Sequence, residues 1–355
     1  MSVPTQTSFL GLGPLPGTHP HEAAEMLIGE SMEGRVHLPV LPARGLGSDL
    51  IGRTAALMAD VDLDRGPRSW KVSDNPSRLS WLAQDFLDRD IDACEEVWGS
   101  TPACLRLVAT GPWTMAASVE KASGALVASD FGAVRYFAQS LAAGLLEQAA
   151  DARRRFGCDI EVLLSEPALG AVAQGAIEAP STLMGNDGFL PAQGYREIAE
   201  ILRQVTGPLL ADGIHVTVAL AGSDGIAAQA LVESGASGFW LPRTQLRTTA
   251  QLDFAVAVLG SDMTLELGIV PVHADGREEH SGIPVATSSR ELAEAAALLW
   301  DELGFSRLDI AGKLKLTPVG GFASSAADEA AAQLGAGRRA AELLRRAAGD
   351  LARDE

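Results

Sequence analysis

Cysteine, long apolar runs and positive charge are what this chain of 355 residues has least of. Its three cysteines, Cys94, Cys104 and Cys158, lack metal-ligand spacing, and an odd, sparse set builds no disulfide framework. They read as buried apolar thiols. No apolar run approaches the ~20 residues of a membrane-spanning helix, and the N-terminal MSVPTQTSFLGLGPLPGT has no basic stretch leading into an apolar one. These absences predict a soluble, cytoplasmic protein. Against 46 Asp and Glu stand 28 Lys and Arg, a formal net charge of -18 that repels phosphate backbones and anionic lipid. Nucleic acid and membrane are therefore not expected as partners, a small molecule is, and nothing in the sequence sets the oligomeric state. Also missing is a Gly-x-Gly-x-x-Gly turn after the first strand, which counts against a doubly wound open sheet.

What is present is alternation. Phe9 to Leu12 is an apolar run ending in a Gly-Pro turn, and His21 to Ser31 then shows helical spacing. Val36 to Leu41 is the next run, followed by a helix opened by Ser48 and Asp49. Asp60 to Asn75 reads as irregular, and Ser77 to Trp98 as a helix. Further strands are read at Leu105–Ala109, Asp159–Leu164, Ile214–Leu220, Gly238–Leu241, Leu265–Val270 and within Leu308–Leu316, separated by helical stretches. Eight strands alternating with helices and no long linker predict an α/β fold, a (β/α)8 TIM barrel forming one domain over residues 1–355. The active site of such a barrel gathers at the strands' carboxyl ends, so the turns carry the functional reading.

The turns Gly13–Thr18, Thr110–Thr114, Ser165–Leu169 and Pro318–Phe322, with the stretch Leu41–Arg53, resemble the catalytic barrel of cobalamin-independent methionine synthase, within the uroporphyrinogen decarboxylase/methionine synthase-like type. Leu316-Thr317-Pro318-Val319-Gly320-Gly321-Phe322 is similar to the family's last Pro-x-Cys-Gly-Leu turn, with Gly320 in place of the cysteine, and Ser324 or Ser325 positioned to cap the following helix. Gly13-Pro14-Leu15-Pro16-Gly17-Thr18 resembles the turn that holds the amino acid's carboxylate, with Pro14 replacing a serine. Thr110-Gly111-Pro112-Trp113-Thr114 and Ser165-Glu166-Pro167-Ala168-Leu169 are similar to two further family turns, Ser165 standing for an aspartate that grips the substrate's ammonium. Leu41 to Arg53 looks like a stretch of short actinobacterial members. The motifs follow one another in the family's order.

The resemblance implies a 5-methyltetrahydropteroyltriglutamate–homocysteine S-methyltransferase fold, a place in methionine biosynthesis, and zinc held by His-x-Cys, Glu and Cys from three strand ends. Here those positions read Thr217 or Ala219, Pro242 and Gly320, with His215 nearby, so no zinc or other cofactor is expected. Without metal a thiol of pKa ~8.5 stays mostly protonated, and methyl transfer loses its nucleophile. The expectation is the family's barrel without its usual chemistry. The alternatives are a metal-free enzyme on a small carboxylate, decarboxylase-like, or a catalytically silent barrel that binds a ligand or partner protein. Candidate catalytic residues are Glu166, Ser165 and Lys315; candidate substrate contacts are Thr18, Arg44, Asp49, Thr110, Trp113 and Thr114. Lys313 shares a strand face with Lys315, and His273 and His280 lie in an acidic loop with Asp275, Glu278 and Glu279 that reads as solvated.

Overall fold

The computed structural model describes residues 8–66, 70–179, 188–272 and 288–354. After Ser8–Leu15, helix α1 (Pro20–Gly29) leads into strand β1 (Arg35–His37) and then α2 (Leu50–Leu57). Asp49 caps α2 by accepting the Gly52 N–H, as a carboxylate at a helix start does. The stretch read as irregular contains a hairpin, β2 (Asp62–Arg65) and β3 (Trp70–Ser73), because Leu63 and Trp70 bury one face of it. Helix α3 (Arg78–Trp98), capped by Ser77, returns to β4 (Cys104–Thr110), and α4 (Pro112–Ser118) and the two-residue β5 (Val119–Glu120) follow. The long helix α5 (Phe131–Phe156), capped by Asp130, precedes β6 (Asp159–Ser165), α6 (Leu169–Gln174) and α7 (Tyr195–Ala211). The second half runs β7 (His215–Ala219), α8 (Ala228–Ser234), β8 (Gly238–Pro242), α9 (Thr249–Leu259) and β9 (Thr264–Val270). It ends with α10 (Ser289–Glu302), α11 (Ile310–Lys313), β10 (Leu314–Pro318) and α12 (Ala327–Asp354). Of the two serines expected to cap α12, Ser324 and Ser325, the second donates its hydroxyl to the Val272 carbonyl.

Seven parallel strands form one curled sheet in the order β1-β4-β6-β7-β8-β9-β10, and β2-β3-β5 form a small second sheet outside it. All seven residues of β4 are buried, as a strand covered on both faces requires. The first apolar run of the sequence is a bridging segment rather than a regular strand. Phe9 pairs in parallel with Leu316, and Pro14 with Val40, so Ser8–Leu15 touches the last strand on one side and the extension of β1 on the other. One large cluster of apolar side chains fills the space between sheet and helices, while a smaller one occupies the inside of the curl.

Candidate functional site

The alternation of side chains along each strand sorts the inner face of the sheet into layers. The lowest, near the strands' amino ends, is charged. Arg106 is fully buried there; its Nε donates to Glu161 at 2.8 Å, and Nη1 and Nη2 donate to the two Glu266 oxygens at 2.8 and 2.6 Å. Thr217 Oγ1 donates to Glu266 at 2.8 Å, Arg35 donates to Glu161 at 2.7 Å, and Lys315 Nζ stands 3.5 Å from Glu161 and 3.4 Å from Glu266. Burial alone would raise both carboxyls, but Arg106 and Lys315, joined by Arg35 at Glu161, outweigh it and hold them below the usual range. His37 lies beside this layer, with Nε2 3.2 Å from the Gly13 carbonyl and Nδ1 unpartnered. Burial, with Arg106 and Arg53 nearby, pushes its pKa down to about 4.

The next layer is apolar: Leu12, Val108, Leu163, Ala219 and Trp240 pack together, with Leu50 of α2 against them. Trp240 fills the interior. Its indole N–H donates to Thr317 Oγ1 at 2.6 Å, and a Cβ on Gly268 would stand 2.7 Å from the ring, so the glycine is what makes room for it. Above, Thr110 and Ser165 are register partners at the ends of β4 and β6. The Thr110 hydroxyl is buried without a hydrogen-bond partner, and Ser165 is half-buried.

Glu166 follows directly and is fully buried. Its Oε1 accepts the Trp113 N–H at 2.9 Å, and its Oε2 accepts the Thr114 N–H at 2.7 Å and the Thr114 hydroxyl at 2.6 Å. The carboxylate thus closes the start of α4 and ties the β6 turn to the β4 turn. A Cβ on Gly111 would lie 2.4 Å from the Glu166 side chain, which explains the glycine of the Thr-Gly-Pro turn. Burial pushes this carboxyl up to about 7 against the pull of its three donors.

The other residues singled out in the sequence lie as follows. Arg44 makes a bidentate pair with the buried Asp90 of α3 at 2.7 and 2.8 Å and stacks over Phe86, while Arg53 Nη1 donates to the same Asp90 at 2.5 Å. Asp49 accepts from Gly47, Gly52 and the Trp70 indole. Thr18 is exposed, Trp113 and Thr114 are buried, and His215 is exposed at the start of β7. Lys315 sits in the charged lower layer rather than at the strand ends, and Lys313 pairs with Asp262 at 3.2 Å. His273, Asp275, Glu278, Glu279 and His280 lie outside the described residues. Cys94, Cys104 and Cys158 are buried free thiols.

At the positions that would supply zinc, the Thr217 hydroxyl is spent on Glu266, and Ala219, Pro242 and Gly320 carry no donor, so these residues do not fit the ion. Among the described residues no group of three or more His, Cys, Asp or Glu side chains is placed to hold a metal. The same residues include no helix long and apolar enough to cross a membrane. The sequence reading missed the charged layer and Trp240. A signal existed: Leu-Arg-Leu, Ile-Glu-Val, Leu-Glu-Leu and Leu-Lys-Leu each place one charge near the start of an otherwise apolar strand.

No protein-family model matches the chain, and no curated protein matches it significantly in sequence. In three dimensions it is similar to a B12-independent methionine synthase from Shewanella sp. W3-18-1 in complex with selenomethionine, with TM-score 0.55, 13% identity, and 99% of this chain and 100% of that one covered. A methyltransferase from Methanosarcina mazei gives TM-score 0.52 at 13% identity, over 95% of this chain and 94% of that one. At such identity the likeness is one of fold: a curled parallel sheet wrapped in helices, of the kind found in methionine synthase and methyltransferase barrels.

Proposed function

We propose that this chain is a distant relative of the cobalamin-independent methionine synthases: a cytoplasmic, single-domain (β/α)8 barrel in which Ser8–Leu15 serves as the closing strand. On this reading it has lost zinc-dependent methyl transfer and keeps the barrel mouth as a site for a small molecule. The observation that carries the reading is Trp240, wedged inside the curl next to strand ends that offer a methyl group, a proline ring and a bare backbone where thiolate and carboxylate would be needed. Activation of a homocysteine thiol needs the metal that those ligands would hold.

The carboxylate-substrate alternative is less well supported. Arg44, Arg53 and Arg106 are each committed to a buried carboxylate of the protein itself. What the mouth offers is hydroxyls, from Thr110 and Ser165, above an apolar layer.

The test is zinc stoichiometry on protein purified without a metal-affinity tag, with methyl transfer to homocysteine assayed alongside. The expected result is sub-stoichiometric zinc and no transfer, unchanged in Gly320→Cys, because one added thiolate does not make a site that needs at least three protein ligands with oriented neighbours. Near-stoichiometric zinc with measurable transfer would overturn the reading.

A further inference from the structure

A cavity of about 230 Å³ lies outside the barrel, between α2, the β2–β3 hairpin and α3. Its floor is apolar, from Met58, Leu63 and Trp70. Trp70 is buried, and its indole N–H is already taken by Asp49, so it presents only carbon to the space. The rim is different. Trp81, on the first turns of α3, is 68% exposed, and a tryptophan this exposed at the edge of an apolar hollow has surface that none of the described residues covers.

Charge selects what could cover it. Asp62 lines the cavity, is half-buried, and has no ion pair or side-chain hydrogen bond among the described residues. The contrast within the molecule is sharp: the buried carboxylates Asp90, Glu161 and Glu266 are each answered by an arginine, and Asp62 is not. Among the described residues no lysine or arginine lines the cavity, so none of them would receive an anion there. Tryptophan faces attract cations, and a carboxylate beside them adds direct charge pairing. Gln84 at the same rim supplies an amide for a polar substituent.

We propose that this cavity binds a small organic cation with an apolar body, its ring or chain in the hollow and its ammonium between Asp62 and Trp81. The site is separate from the barrel mouth and does not depend on the reading given for it.

The probes are phenethylammonium, its neutral counterpart 2-phenylethanol and the anion 3-phenylpropionate, titrated into the full chain by calorimetry and by indole N–H NMR shifts. Phenethylammonium is expected to bind with a Kd of about 1 mM or below and at least about tenfold more tightly than 3-phenylpropionate. It should shift the indole resonance assigned to Trp81 through Trp81→Phe and leave that of Trp240 in place. Asp62→Asn should bring the amine to the affinity of the alcohol, and Trp81→Ala should weaken both while Trp81→Phe keeps most of the binding. Both side chains sit at the rim, and an unchanged Tm confirms that the variants fold. Equal binding of amine and anion, a preference that survives Asp62→Asn, or no saturable binding of the amine would each overturn the proposal. So would self-association abolished by Trp81→Ala without amine binding, since a second copy would then be the occupant.

Discussion

The lower and upper halves of the curled sheet's interior have opposite chemistry. Below, Arg35, Arg106, Glu161, Glu266 and Lys315 form a closed network in which every carboxylate meets a cation. Above, Leu12, Val108, Leu163, Ala219 and Trp240 give way to the hydroxyls of Thr110 and Ser165, and the charge that follows, Glu166, is sealed against α4. Barrels of this type do their chemistry at the carboxyl ends of the strands, and their amino ends serve stability. Among the described residues, the charge on the inner face of the sheet is concentrated at that amino end.

The largest effect is expected from Arg106→Met. Removing the hub takes a directly paired cation from both buried carboxylates and leaves Glu266 with only Lys315 at 3.4 Å and the Thr217 hydroxyl, which costs roughly 3–5 kcal/mol of unfolding free energy, read by urea denaturation. A loss below 1 kcal/mol would mean that the lower layer is hydrated rather than dry.

Trp240→Ala tests the upper layer. It should cost about 3–5 kcal/mol by opening an apolar hole, and free indole should restore part of the lost Tm in the variant while leaving the wild type unmoved. Absence of rescue would show that the neighbours collapse into the space.

Protonation separates the halves more finely. His37 has a folded pKa of about 4, below its unfolded value near 6.5, so the folded state binds fewer protons between these pH values and stability falls as pH drops through them. Glu166, at about 7 against an unfolded value near 4.5, does the reverse: its contribution falls as pH rises from about 4.5 to 7. The two slopes oppose each other over most of that range, leaving the wild type nearly flat. In His37→Gln, stability should decline with rising pH by roughly 3 kcal/mol across the window, and in Glu166→Gln it should climb by a similar amount. Identical profiles for the two variants would refute the assignment. Glu161 and Glu266, whose folded pKa values are depressed, stabilise above the usual carboxylate range, and that stabilisation is lost only below about pH 4.

The smallest effect is expected from Asp49→Ala, which removes a helix cap and the partner of the Trp70 indole. It should cost about 1–2 kcal/mol and leave any ligand binding at the barrel mouth unchanged. Weakened binding at the mouth would place Asp49 in that site.

How much of this was legible follows from what each kind of pattern records. Periodicity records burial, so the strands from β4 onward and the helices ending at Trp98 and Phe156 are readable from apolar spacing with Ser77 and Asp130 as caps. The β2–β3 hairpin was not, because each of its strands is only four residues long and its core-packed Leu63, Trp70 and Val72 stand among charged neighbours, too short a record for alternation to stand out. Turn motifs record local geometry. They located Glu166 and Gly111 but not the direction of the carboxylate, which is set by α4 amides that a motif does not show. Arg44 and Asp49 fared likewise: charge at a strand end reads the same whether the partner is a substrate or, as for Arg44, an aspartate 46 residues away on another helix. The charged layer draws on β1, β4, β6, β9 and β10, which meet only because the sheet that holds them curls, and no single segment contains that fact.

One contact has a consequence for how the chain is made. The Leu10 N–H donates to Leu316, and the Leu316 N–H returns a bond to Ser8, so this segment waits for one made about 300 residues later. At ribosomal speeds of about 5–20 residues per second, that interval is roughly 15–60 s. Throughout it, Phe9, Leu10 and Leu12 have no strand on their β10 side and stay sticky in a crowded cell. A nascent chain of this protein is therefore an expected client of holding chaperones until β10 emerges, and a circular permutant that begins at β10 should fold on the ribosome with much less need of them.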